Sequence, residues 1–172
     1  YFSILKPIYD VIIFSMLRDH LDAVPFTHSC NIAKPWCKRC AKCVYVWLNY
    51  LAYVPADVVI PMFGENLFDI EENMLIMRQM LGLEAHMPFE CIGQMDEVKL
   101  AFELCRSKGF HGKAMDLYVQ DVPKPNIAEI VDRYTTVDAT HASMPAALRP
   151  AVMACLNEAA IRARAYIEDA LR

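Results

Sequence analysis

The stretch SCNIAKPWCKRCAKCVYVWLNYLAYV, residues 29–54, holds two patterns back to back. Its first half spaces Cys30, Cys37, Cys40 and Cys43 as C-x6-C-x2-C-x2-C, with Trp36 and the basic residues Lys34, Lys38, Arg39 and Lys42 among them. Its second half, residues 44–54, is an apolar and aromatic run. The β-branched content of that run suits a strand and its length suits a buried helix; helix is the reading adopted. A thiol cluster running into a buried helix predicts a mainly α domain built around a cysteine loop.

Four of the seven cysteines lie in this loop. Each C-x2-C turn lets two sulfurs converge on one ion, as in closed four-thiolate zinc sites, and the first ligand arrives from a longer loop. The interspersed lysines and arginine offset the negative charge of such a centre and favour the thiolates. A structural zinc is the reading the spacing favours, and its shell, once closed, holds the loop without supplying catalysis. An iron–sulfur cluster also takes four cysteines, and uncoordinated or catalytic thiols stay open as well. A disulfide pair is disfavoured by the odd total and by the lack of a secretory signal.

Length and composition agree with a packed helical domain. At 172 residues, 56% hydrophobic and with only five glycines, the chain can bury one substantial core. The apolar run IYDVIIFSML is interrupted by Asp10 and is too short for a spanning helix, so no membrane anchor is expected. A net charge of −4 argues against broad nonspecific binding to nucleic acid, though a local basic patch at the cysteine loop is not removed by the sum. No charged n-region with a small-residue cleavage site opens the chain. Because it starts directly in helical pattern, it reads as part of something longer.

Elsewhere the periodicity is helical. Apolar positions recur at three- and four-residue intervals from Ile4 to Leu21. In DIEENMLIMRQMLG, Asp69 and Glu72 read as a capping box and Gly82 as the C-terminal stop. Residues 95–108 read as a helix ending at Gly109, with Cys105 as a small core residue. AMDLYVQDV and IAEIVDRYTTV are shorter helices separated by the stiff PKPN break. Residues 149–172 carry an apolar face (Val152, Leu156, Ala159, Ala163, Tyr166, Ile167) that must find a partner, within the chain or in another protein.

Two stretches together carry a family resemblance. SC (29–30) followed by WCKRCAKCVYVW (36–47) resembles the cysteine loop in the C-terminal part of PP-loop ATP pyrophosphatase-like enzymes, including the 7-cyano-7-deazaguanine synthases. MLGLEAHMPFECIGQMDEV (80–98) is similar to the end of the UDP-N-acetylmuramoyl-L-alanyl-L-glutamate epimerase family. The resemblance covers residues 1–105, a region that includes the zinc loop 28–47, and leaves 106–172 as a helical extension of the same single domain. It implies the C-terminal part of an α/β PP-loop-type enzyme that uses ATP and Mg²⁺ to invert the terminal L-glutamate of a UDP-muramoyl dipeptide in the cytoplasm or an organelle matrix. The glycine/serine-rich phosphate loop of such enzymes is missing from this sequence, so the nucleotide-binding half lies outside these 172 residues or ATP chemistry has been lost.

Candidate acid and base groups follow from the same stretch. His86, Glu90 and Cys91 sit between two helical patterns, where functional side chains concentrate, and a thiol with a carboxylate or imidazole can move a proton across a stereocentre. The competing reading makes Cys91 a packed thiol, Glu90 the cap of the helix beginning near Met95, and His86 a surface residue. Glu65 and Asn66 are either polar site residues or turn residues after Gly64. His28 is a substitute zinc ligand that four thiols make unnecessary, and His111 and His141 have no companions that suggest chemistry. Outside catalysis, the alternative is a zinc-stabilised module that binds protein or RNA through the basic loop, or a structural subunit docking through residues 149–172.

Overall fold

The computed structural model describes residues 2–89, 92–141 and 143–172. Its centre is α2 (Ala41–Tyr53), the helix expected from the aromatic run, with every residue but Lys42 buried. A helix apolar on all sides has to be surrounded, and α2 is. It lies along α5 (Met95–Ser107), with α1 (Asp10–Met16), α3 (Ala56–Phe63) and α4 (Met74–Met80) around it. The short helices α6 (Lys113–Asp121) and α7 (Ile127–Tyr134) flank α5, and α8 (Arg149–Ala170) closes over α1. Among the described residues there is no strand, so this part of the chain is all helical.

The core is aromatic. Trp47, Tyr45, Tyr53, Phe63, Phe68 and Phe102 are fully buried, the three phenylalanines each contributing about 1.5–3 kcal/mol of transfer free energy. Cys105 is buried as expected, its thiol 3.6 Å from the Leu48 carbonyl. The open carbonyls at the end of α2 are taken by side chains from distant elements: Lys108 Nζ donates to Leu51 O and Tyr166 OH to Ala52 O, both at 2.8 Å. Burial of the ammonium holds Lys108 down to about 8. Arg18 lies over the Tyr166 ring at 3.7 Å, fastening α8 to the turn that follows α1.

The apolar face of α8 finds its partner within the chain. Leu156, Ala159, Ala160 and Ala163 form a second small core with Ile8 and Ile12.

Three local expectations need correction. The helix read across 4–21 is regular only from Asp10 to Met16, followed by a 3₁₀ turn, Leu17–Asp19. Residues 5–8 form a hydrogen-bonded turn, Ile8 N donating to Leu5 O at 3.2 Å, and the helix starts only after it. Asp69 does not cap the helix after it: Glu71–Asn73 is a 3₁₀ turn and α4 begins at Met74 without a side-chain cap. Asp69 Oδ1 instead accepts from Lys113 N at 3.1 Å, capping α6 across 44 residues. Gly82 does end the segment, at φ +76°. The capping box belongs to α5, where Gln94 and Glu97 satisfy each other's backbone N–H groups; the reading of Glu90 as the cap falls outside the described residues. Helix α3 had no reading of its own in the sequence, since Pro55 and Pro61 disguise it. Pro55 is its N-cap residue, and Gly64 at φ +70° ends it.

Candidate metal centre and the loop before α5

The cysteine loop is assembled from the start of α2 backwards. Cys40 is the N-cap residue of α2, its Sγ accepting from Cys43 N at 3.4 Å, so two of the four thiols sit on the first turn of the central helix. The Cys37–Cys40 turn brings the third thiol alongside, with Lys38 at φ +64° in the left-handed region. Cys30 closes the set from the extended segment upstream, its Sγ accepting from the N–H groups of Ala33 (3.3 Å), Ile32 (3.4 Å) and Cys37 (3.5 Å).

All four Sγ atoms lie within 4.8 Å of one another, with Cys30 to Cys40 at 4.0 Å and Cys37 to Cys43 at 3.7 Å. A disulfide needs about 2.05 Å, so these are free thiols. A tetrahedral ion with bonds of about 2.3 Å sets its ligand sulfurs about 3.8 Å apart, and the observed separations fit it. A four-iron cluster gives each thiolate its own iron and needs the sulfurs spread wider. The four thiols have electrostatically uneven surroundings. Burial works to raise Cys30, but the N–H groups of Ala33, Cys37 and Ile32 outweigh it and bring the thiol down to about 6. Burial pushes Cys40 and Cys43 up, so a bound cation is what would ionise the whole set.

Residues around the thiols serve the loop. Asn73 Nδ2 donates to Lys38 O at 3.0 Å and ties the turn to the start of α4. Trp36 stacks on Phe63 at 4.8 Å, and the His28 ring stands edge-on to Trp36 rather than joining the sulfurs. Lys38 and Arg39 both reach Glu65 Oε1, at 3.2 and 3.3 Å, and this pairing, Arg39 foremost, holds the Glu65 carboxyl below the usual range. Lys34 Nζ donates to Cys30 O at 2.7 Å, and Lys42 lies over the Tyr45 ring at 5.8 Å. The basic side chains are engaged with their own loop and its neighbours. Asn66 is a turn residue, with Oδ1 accepting from Phe68 N and Nδ2 donating to Asp69.

Of the proposed acid–base residues, Glu90 and Cys91 lie outside the described residues, and His86 is exposed in the loop between α4 and α5. The described end of that loop is held by groups the sequence reading passed over. Glu97, only 2% exposed, accepts from Gln94 N (2.8 Å) with one oxygen and from Val11 N (3.2 Å) with the other. Beside it Tyr45 OH donates to Asp10 Oδ2 at 2.8 Å. Gly93 is pressed against both: a Cβ there would stand 2.8 Å from Glu97 Oε2 and would collide outright with Tyr45 OH. Burial is the main force pushing Glu97 up to about 7, and nearby Asp10 adds to it. The Gln-x-x-Glu step at 94–97, directly after a glycine, was the available signal for this cluster.

Residues 25–130, from the turn before the cysteines to the start of α7, match a family model described as the MurL C-terminal domain. The chain belongs to that family. The MurL match extends past residue 105 and takes in α6 and the PKPN break, while α8 lies beyond it. Curated relatives include UDP-N-acetyl-alpha-D-muramoyl-L-alanyl-L-glutamate epimerases of a Micromonospora strain (32% identical over 114 residues, 60% of this chain and 25% of the relative) and of Salinispora tropica (31%, covering 60% and 24%). The protein of the same name from Xanthomonas oryzae is 29% identical over 63% of this chain and 26% of its own length. The chain thus spans about a quarter of the length of the relatives it matches. No solved structure matches it.

Proposed function

We propose that this chain is the C-terminal, metal-stabilised part of an epimerase that inverts the terminal L-glutamate of a UDP-muramoyl dipeptide. The observation that carries the reading is the MurL family match over 25–130, which takes in both the cysteine loop and the stretch before α5. In the chemistry that the resemblance implies, a substrate carboxylate oxygen attacks the α-phosphorus of ATP, with Mg²⁺, and pyrophosphate leaves. The acyl adenylate has lost the carboxylate charge that made its Cα–H so weakly acidic. One protein group then takes the proton from one face, a second delivers a proton to the other, and water releases AMP. Cys91, Glu90 and His86 are the candidates for those two roles. The nucleotide-binding part is assigned to polypeptide outside these 172 residues.

Zinc is the ion proposed for Cys30, Cys37, Cys40 and Cys43, on the sulfur separations and the closed shell. Its role is to hold the loop against α2 and α4. Among the described residues no helix is long and apolar enough to cross a membrane. A cytoplasmic setting is proposed because it keeps four thiols reduced. Lys34 is engaged within the loop and Lys38 and Arg39 with Glu65 beside it, which favours a structural role for these cations over RNA binding.

The test is a chimera in which residues 25–130 replace the matching segment of the Micromonospora epimerase. Incubated in D₂O with the dipeptide substrate, ATP and Mg²⁺, it should place deuterium on the glutamate α-carbon and form the D isomer, and Cys91→Ser should suppress both. A folded chimera that exchanges no deuterium would overturn the reading, and unchanged exchange in Cys91→Ser would remove that residue from the site.

A further inference from the structure

The structure assigns Glu97 the part of a positioning residue: one buried carboxylate fixes the backbone entering α5 at Gln94 and the first turn of α1 at Val11. The two attachments are 83 residues apart in sequence (94 − 11) and meet on opposite oxygens of one side chain. Gly93 lies so close to Glu97 and Tyr45 that the loop has no room to slide past them. The last described residues before α5 are therefore set by tertiary contact with α1 and α2 as well as by their own helix.

The arrangement has a built-in dependence on protons. An ionised carboxylate offers acceptors to both N–H groups, whereas a protonated one turns one oxygen into a donor and leaves the two N–H groups competing for the other. The groups facing Glu97 are Asp10 of α1, Tyr45 and Tyr53 of α2 and Tyr134 of α7. The cation nearest on α7, Arg133, goes to Asp96 at 3.4 Å instead. Desolvation and Asp10 favour the proton, while the N–H groups of Gln94, Val11 and Asp10 favour the charge. Acidification through neutrality then loosens the loop before α5 at one end.

The anchoring stands apart from the epimerase reading; only its consequence for catalysis rests on that reading, and the two are separable by experiment. In ¹⁵N-labelled native chain, the amide signals of Gln94 and Val11 are followed from pH 5.5 to 8.5. Both should titrate together with a midpoint near 7, with weaker protection from hydrogen exchange on the acid side, and the titration should vanish in Glu97→Gln. Amides that do not titrate in the native chain, or that titrate unchanged in Glu97→Gln, overturn the assignment, and the native measurement decides alone if the variant does not fold. In an active chimera, Glu97→Gln should abolish the acid limb of the deuterium-exchange profile near pH 7. An unaltered profile would remove the positioning role, while a chimera inactive with Glu97 in place counts against the function and leaves the amide result standing.

Discussion

The cysteine loop and the loop before α5 both end on the helical core, but they are fastened by different means. In the first, four thiols within fourteen residues of sequence converge on a point that an outside ion could fill. In the second, a carboxylate holds backbone N–H groups that already belong to the chain, one of them 86 residues away. The contrast teaches that a ligand set clustered in sequence announces itself through spacing, whereas an anchor made between remote segments leaves only a faint local trace.

The thiol side of that contrast predicts the largest effect. Cys40→Ser removes a proposed metal ligand while leaving a hydroxyl able to cap the central helix, so bound metal should be lost and the domain destabilised by more than about 4 kcal/mol, read by metal analysis and thermal unfolding. Native protein should carry about one zinc per chain and be colourless. A brown, iron-containing protein would put both anchors on a different footing, because redox chemistry would then enter the first.

The carboxylate side predicts a pH signature of its own. The Glu97 carboxyl is raised from about 4.5 in the unfolded chain to about 7 in the fold, so the folded state binds its proton more tightly. Keeping this buried carboxyl neutral, at the expense of the anchor, contributes stability that is fully present below about 4.5, declines as pH rises toward 7 and is gone above it, a change of roughly 3 kcal/mol in urea-unfolding free energy that Glu97→Gln should erase. Gly93→Ala, which leaves both carboxylate contacts chemically intact but forces a methyl group between Tyr45 and Glu97, should cost about 2 kcal/mol. An equally stable variant would show that the loop can slide. The smallest effect is expected at Asp69→Ala, which removes the cap of α6 for a loss of about 1 kcal/mol. If that loss appeared as fraying of α4 instead, in amide exchange, the local reading of the capping pattern would be restored.

The all-helical architecture, the thiol cluster, the buried Cys105 and the apolar face of α8 were legible because each depends on a period or a spacing. Asp69 was assigned to the wrong helix because a short acidic side chain caps whichever N-terminus tertiary packing brings to it. Helix α3 was passed over because Pro61 lies inside it, where a proline removes a helical hydrogen bond and reads as a break, and Pro55 stands just before it. Glu97 was hidden for the opposite reason. Its sequence context, MDEVKL, is that of an ordinary first helical turn, and its burial follows from α1 arriving against it.

Cys40 and Cys43 stand at the N-cap and in the first turn of α2, and that placement bears on the order of events in folding. The slow step in making a helix is fixing its first turn, and an ion gripped by these two thiols fixes it in advance. With the proposed ion bound there, metal supply would set the pace at which the central helix, and the aromatic core around it, forms. A cell short of the ion would accumulate newly made chains with Trp47, Phe63 and Phe68 still in water, the kind of surface that proteases and chaperones find first.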